Sequence, residues 1–417
     1  MKQRDQRQWR RGRRRHGDGP SEHVGASSPS PSACFDFDSA PVIGVCASMC
    51  PEQERKERER ERDVSRFEIS SSSASWMVKK YRRPAAGRDD LDPRVLRPAH
   101  ILRATLDHLF SNVLQSAGGG FDWDHGGHSS KPTSPNEFLA LYHFLSDRLR
   151  STLQRLDGAD RIQALEEIAR FHILASHAAA LHLPLQSTLD WSETLNNQQL
   201  ASALTELHAL YRSVGATSGH PEEMLALDLL LHLRDPSSVS LLMRQTAPEV
   251  LRSRCVQDAL AAFVACQTRD FYGFGVVLRR LPALQQSLAA RNMPFVAGLA
   301  LRMMNKAYTK IDRFGLDEVA SIIGTAGPDD AERLCQSLMV HVEKADASTS
   351  VPDTWEAEHL VASVRFKVSP VLQDDVPSDV EVELLKSYAR RLHEHAILKC
   401  GLTARDLVMP TATGRDK

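Results

Sequence analysis

The chain has 417 residues, 42% apolar and 25% charged, with a formal net charge of −1. That is room for two or three domains around a sizeable core. No run approaches eighteen consecutive apolar residues, so no membrane span is expected, and residues 1–41 contain no apolar leader of the secretory kind. Seven cysteines, at 34, 46, 50, 255, 266, 335 and 400, are scattered and odd in number, which fits reduced thiols better than a disulfide framework. The near-zero net charge hides an asymmetry. Residues 1–15 carry eight Lys or Arg against Asp5 alone, so this arm is +7 and the remainder −8. Attraction for nucleic acid has to come from the arm or from local patches.

In chain order, residues 1–41 are Arg-rich and then Ser/Pro/Gly-rich, too poor in apolar side chains to offset ordering entropy, and read as a disordered arm. A basic run of this kind serves nuclear import or nucleic-acid contact. From Pro51 to Arg66 glutamates alternate with Arg and Lys. Spacings such as Glu52–Lys56 and Glu54–Arg58 predict an exposed helix laced with ion pairs, starting after Pro51 and ending near Phe67-Glu68. Leu102, Leu106, Leu109, Phe110, Val113 and Leu114 mark one helical face, closed by Gly118-Gly119-Gly120 and a loop to 135. The unit 42–135 therefore holds a leading segment, a charged helix and a first body helix with a loop insertion.

Residues 136–310 read as helix after helix. Phe138 to Leu149, Ile162 to Leu183, Leu200 to Tyr211, Met224–Leu233, Val256–Phe263, Phe271–Leu281 and Phe295–Tyr308 all show apolar residues at three- and four-residue steps. Hairpins of this kind stacked side by side predict an all-α, helical-hairpin solenoid of the tetratricopeptide or PCI type. Between 311 and 370 the character changes. Short helices at Leu316–Ile323 and Asp329–Val340 and two candidate strands, Val340–Val342 and Val361–Val368, predict a winged-helix module. Residues 371–417 follow as a closing helix, Val380–Cys400, and a tail.

Chemistry-bearing residues are few. Cys46 and Cys50 lack the second pair that a structural zinc site needs and read as anchors of an extended segment. Asp122, Asp124, His125 and His128 could gather a divalent ion, but their Gly-rich surroundings make a flexible insertion the plainer reading. Lys79-Lys80-Tyr81-Arg82-Arg83 interleaves an aromatic with four cations, the arrangement that contacts phosphates and stacks a base. A solvated loop whose Tyr packs on the body is the alternative. Asp147, Arg148 and Arg150 lie on the polar side of a helix, and His172 reads as a core histidine. There is no phosphate-cradling loop, nucleophile elbow or H-E-x-x-H, and Gly273-Phe274-Gly275 sits in a helical pattern without a preceding strand. No catalytic centre, cofactor or small-molecule substrate is expected.

The stretch from Gly44 to Arg55, with Gly44, Cys46, Met49, Cys50, Pro51, Glu54 and Arg55 at fixed spacing, resembles the opening signature of the GANP-type scaffold family, G-x-C-x-x-M-C-P-x-x-E-R. The likeness continues through Phe67-Glu68, Val78 to Gly87, Leu96-Arg97-Pro98, Asp147 to Arg150, Phe171-His172-Ile173, Leu195-Asn196-Asn197, Leu207–Tyr211 and Arg269 to Phe274. Ala47-Ser48 stand where Pro-Asp is common in the family, and residues 118–135 look inserted. The layout is similar to that of the short, domain-only members. The resemblance implies a non-enzymatic nuclear scaffold of mRNA export. It also implies helical hairpins running into a winged helix, pairing with a PCI-domain protein that carries a small acidic subunit, and a shared surface for RNA. It implies a structural contact within the body for Asp147, Arg148 and Arg150. Some short members are associated with the centrosome and mitotic spindle, which gives an adaptor role there or in the cytoplasm as the alternative.

Overall fold

The computed structural model describes residues 44–69, 76–83, 92–115, 134–153, 156–183, 190–214, 219–344, 362–368, 372, 375–394 and 402–410. All of them belong to the second of two contact units, Ile43–Lys417. The arm at 1–41 and the carboxylate–imidazole stretch at 122–128 lie outside the described residues.

Helix α1 (Glu52–Arg60) is followed by a 3₁₀ turn at Arg66–Glu68. Helix α2 (Ala99–His108) runs into a π-helical turn at Leu109–Leu114. The body continues as α3 (Pro135–Leu153), α4 (Gly158–His182), α5 (Glu193–Val214), α6 (Pro221–Leu231), α7 (Pro236–Gln245) and α8 (Pro248–Leu251). After these come α9 (Arg254–Thr268), α10 (Phe271–Leu278), α11 (Ala283–Ala290) and α12 (Met293–Ala307). The C-terminal part is β1 (Arg313–Gly315), α13 (Leu316–Ile323), α14 (Pro328–Ser337), β2 (His341–Lys344), β3 (Ala362–Arg365), α15 (Ser378–Leu392) and α16 (Ala404–Val408). The described residues are predominantly helical, as the periodicity predicts.

Helix α4 is the axis of the core. Every residue from Ala164 to Ala179 is buried, which is why its sequence shows no polar stripe. Helices α2, α3, α5 and α11 lie against it, and so do α15 and α16. A stack in which each hairpin touches only its neighbours would leave α4 remote from the chain's last helices. Here the C-terminal segment returns to it, with Arg405 Nε donating to Ser111 Oγ at 2.8 Å.

Helices α7, α8 and α11 have no counterpart in the apolar pattern: α7 and α8 are short and bury one residue each, Val239 and Val250, whereas α11 is short and buried nearly all round, so it shows no apolar stripe. Asp235 nonetheless announces α7, its carboxylate accepting from the N–H groups of Ser237 and Ser238.

The three strands form an antiparallel sheet in the order β1-β3-β2, with Phe314 opposite Val364 and Val364 opposite Val342. Two strands are expected from the sequence; β1 is a third, too short at three residues to show any alternation. The second expected strand is also shorter than its pattern suggests. Phe314 and Phe366 pack edge to face at 5.7 Å, and Tyr308 closes on Phe314 at 4.5 Å. These rings join the sheet to the end of α12.

Candidate functional site

The leading segment is pinned by its backbone. Val45 and Cys46 donate their N–H groups to the carbonyls of Pro93 and Leu96 at 2.8 and 3.0 Å. A Cβ on Gly44 would overlap the Leu96 carbonyl oxygen, so this position admits no side chain. Cys46 and Cys50 are buried free thiols, and burial, helped by Glu54, pushes the Cys50 thiol up to about 11. That is an inert packing thiol. The Met49 carbonyl accepts from Lys79 N and from Arg97 Nη1, both at 3.1 Å. Arg97 Nη2 then reaches the backbone and hydroxyl of Ser151 on α3. Burial lowers Arg97 to about 10, so it is still a cation at neutral pH. Pro51 precedes α1, Glu54 accepts from Lys80 N at 2.8 Å, and Arg55 faces Glu59 at 4.0 Å.

Helix α1 is not the exposed element that its charge pattern suggests. Glu52–Lys56 forms its ion pair at 2.6 Å, but Glu54 and Arg58 are buried. The chain turns at Arg62, in the left-handed region at φ 57°, and brings Ser65–Glu68 back beside the helix. Arg58 therefore pairs with Glu68 rather than Glu54, and donates Nε to Asp63 O and Nη1 to Val78 O at 3.1 Å each.

Glu68 is the centre of this region, 1% exposed. Its carboxylate receives Arg58, Arg148 Nη2 at 3.2 Å, Val78 N at 3.0 Å and Ser65 N at 3.1 Å. Burial alone would raise its pKa. The hydrogen bond from Arg58, the charge of Arg148 and the two backbone donors outweigh burial and hold it below the usual carboxylate value. Asp147 accepts from Arg148 and from Tyr81 N at 3.3 Å. Arg148 lies over the Phe144 ring at 4.7 Å, and Arg150 over the Tyr81 ring at 4.9 Å. The candidate signature residues and the Asp147–Arg150 step thus meet in one place, joining residues 44–83 to α3.

The basic strip at 79–83 is partly spent in the same network. Lys80 pairs with Asp63 and Arg82 with Glu57 at 3.2 Å, Tyr81 is capped by Arg150, and Arg83 is exposed. Two of its four cations already face carboxylates, which weakens any pull on phosphate.

A second polar network lies deeper, with no short-range signal in the sequence. Glu166 of α4 accepts from Tyr211 Oη at 2.6 Å and from His220 Nδ1 at 2.7 Å, while Arg170 holds Glu223 through two bonds at 2.9 and 2.6 Å. His172 is a core histidine, as read from the sequence. Asn196 bridges it to Tyr142 of α3. Asp228 of α6 holds two imidazoles, His208 Nε2 at 2.9 Å and His232 Nδ1 at 3.0 Å. The hydrogen bond to Asp228 raises the His232 pKa above 6.5. A raised folded-state pKa stabilises fully below the unfolded value and fades as pH climbs through the folded one. Taken alone, this pair makes stability fall as pH rises through the raised value, whereas His172 and His177, lowered by burial to about 4 and about 3, make the stability of the whole protein rise over the same range. His232→Gln removes only the first contribution, so the urea midpoint of the variant relative to wild type should increase with pH across that range, and a constant difference would refute the assignment.

Among the described residues no group of three or more His, Cys, Asp or Glu could hold a metal ion, and no helix is long and apolar enough to cross a membrane. The geometry gathers charged side chains into ion pairs that knit helices together. The sequence model of the SAC3/GANP family matches residues 49–344, from Met49 of the leading segment through the end of β2. The chain belongs to the SAC3/GANP family. It is similar to SAC3 family protein B of Arabidopsis thaliana, 30% identical over 268 residues, covering 59% of this chain and 15% of that protein. It is also similar to SAC3 family protein 1 of Schizosaccharomyces pombe, 26% identical, covering 55% and 21%. Protein xmas of Drosophila melanogaster is 24% identical, covering 72% and 15%. The chain thus spans about a fifth or less of these relatives, and the part matched by the SAC3/GANP family model, 49–344, contains the whole Glu68 network.

Proposed function

We propose that the chain is a non-enzymatic scaffold of nuclear mRNA export, in an assembly like the transcription-and-export complex 2. In this reading its C-terminal module pairs with a PCI-domain protein that carries a small acidic subunit, and RNA lies across the joint surface. Family membership carries the export role. The order α12, β1, α13, α14, β2, β3, with β3 central in the sheet, supports reading residues 311–370 as the winged helix through which PCI-type proteins pair.

Two surface features of that module favour docking. Ile311 is 88% exposed, and Met339 and Val368 are exposed as well. All three lie just beyond the end of the sheet at which Arg313, Arg365 and His341 stand opposite one another, exposed apolar side chains suited to a protein contact. Across the strands, Arg313, Arg365 and His341 stand in register, flanked by exposed Lys310 and Lys367, with Glu343 the acid they share. This ridge suits a phosphate backbone better than the strip at 79–83.

Affinity purification of the tagged chain is expected to recover a PCI-domain protein, and depletion to leave polyadenylated RNA in the nucleus. Ile311→Asp should abolish recovery with far-UV circular dichroism unchanged. If no such partner appears and polyadenylated RNA stays normally distributed, the reading fails. A tagged protein found at spindle poles would favour the adaptor role instead.

A further inference from the structure

A cleft of about 460 Å³ opens where α10, α11, α13 and the last turn of α15 converge, a size in the range of small-ligand sites. Leu278 of α10, Met293 at the start of α12 and Leu392 of α15 give it an apolar wall. Arg279, Gln286, Ser321 and Arg391 stand around that wall. The cleft lies at the joint between the helical body and the C-terminal module, and none of the ridge residues Arg313, His341 and Arg365 borders it.

Its charge is one-sided, because no carboxylate lines it. Asp258 takes Arg280, the neighbour of Arg279, at 3.5 Å. Asp330 of α14 accepts from Ser387 at 3.1 Å and faces Arg333 at 3.5 Å, and Glu383 takes Arg333 at 2.9 Å. Asp317, one turn before Ser321, and Glu318 are exposed and outside the lining. Arg391 also borders a second cleft, where Asp329, Asp330 and Glu394 are matched by Arg333 and Arg390. The carbonyls at the end of α13 would repel an anion if they were bare, but they have donors: Gly324 O accepts from Tyr388 Oη at 2.6 Å and Thr325 O from Arg391 Nη1 at 3.1 Å. That bond fixes Arg391 at the rim and leaves its Nε and Nη2 over. Arg279 has neither hydrogen bond nor ion pair among the described residues. Its Nη1 lies 3.7 Å from where a Cβ on Gly275 would stand, so the guanidinium folds back along α10 beside the cleft. The Ser321 hydroxyl and the Gln286 amide make no side-chain hydrogen bond among the described residues. Two guanidiniums, a hydroxyl and an amide thus face an apolar wall with no acid opposite them.

We propose that this cleft binds a phosphate monoester whose organic body lies on the wall of Leu278, Met293 and Leu392. The two arginines share the doubly charged phosphate, and Ser321 and Gln286 donate to its remaining oxygens. A carboxylate or a phosphodiester carries a single charge and leaves one arginine unmatched. A small metabolite and a phosphorylated serine of a partner present the same dianion.

The test is calorimetric titration of the full chain with phenyl phosphate, diphenyl phosphate and phenol, and with the peptide Ala-Leu-phosphoSer-Leu-Ala. Phenyl phosphate is expected to bind, and the diester and phenol at least about tenfold more weakly. The second ionisation of a phosphate monoester falls near pH 6, so affinity should drop about fivefold or more when pH is lowered from about 7 to about 5. Arg279→Gln removes an exposed side chain without internal bonds, and Ser321→Glu brings an acid into the cleft from an exposed position on α13. Each should weaken binding about tenfold or more with circular dichroism unchanged, while Arg313→Gln on the ridge should leave it as it is. A phosphopeptide that binds more tightly than phenyl phosphate, with the same response to the variants, assigns the dianion to a partner protein; the reverse order assigns it to a small metabolite. The proposal is overturned if phenyl phosphate and the phosphopeptide both fail to bind, or if the diester binds as tightly. It is equally overturned if folded Arg279→Gln keeps full affinity or if Arg313→Gln loses it.

Discussion

Glu68→Ala is expected to destabilise the protein by about 3–5 kcal/mol, the cost of leaving buried charges without their counter-ion. The substitution removes the acceptor of four donors at once: the guanidinium groups of Arg58 and Arg148 and the N–H groups of Val78 and Ser65. Both arginines are 2% exposed, so neither can turn to water without moving its helix. The loss should appear first as increased hydrogen exchange in 44–83, since α3 keeps its own contacts with α4. Glu68→Gln keeps the shape and part of the hydrogen bonding and should cost distinctly less. The same group sets an acid limit. Its folded pKa lies below its ordinary value of 4.5, so its contribution is complete above that value and is lost as pH falls through the folded one. Chemical denaturation of the two variants at neutral pH measures the difference. Equal midpoints for Glu68→Ala and wild type would show that the node is dispensable.

The helical body was legible because its information is local. Apolar steps along α3, α5, α6, α9 and α12 repeat with the helical period, and a window of that length identifies them. The Glu68 node was not, although its members were singled out. Glu54–Arg58 and Asp147–Arg148 look like surface pairs when read along the chain. Arg58 pairs instead with Glu68, 10 residues away, and Arg148, which does hold Asp147, also reaches Glu68 from 80 residues away. Charge alternation is a reliable sign of exposure only when no distant ion can enter the pattern, and here Glu68 does. Gly44 was legible as a signature position, but its reason, the Leu96 carbonyl lying where a Cβ would stand, belongs to tertiary structure alone. The third strand escaped for a related cause. Arg313-Phe314-Gly315 becomes a strand because Val364 and its neighbours supply the partner, and three residues carry too little pattern to announce it.

Gly219→Ala is expected to cost about 3–4 kcal/mol, and a matched control separates its two sources. Gly219 sits at φ 80°, where an L-residue pays about 1–2 kcal/mol for the left-handed conformation. A Cβ there would also overlap Glu166 Oε1 and come within 2.8 Å of Ile162 Cγ2. The clash forces the Glu166 carboxylate away from Tyr211 Oη and His220, in a place where neither the carboxylate nor the phenol can reach water. Gly158 provides the control: it is left-handed at φ 52°, but nothing lies within 4 Å of its Cβ position. Gly158→Ala should therefore lose the conformational part alone, and Gly158→Asn less still, because Asn tolerates that region. Urea denaturation of the three variants gives the clash term as the excess of Gly219→Ala over Gly158→Ala. An excess near zero would mean that the Glu166 network yields to a methyl group, and that the joint between α4, α5 and α6 is looser than its hydrogen bonds indicate.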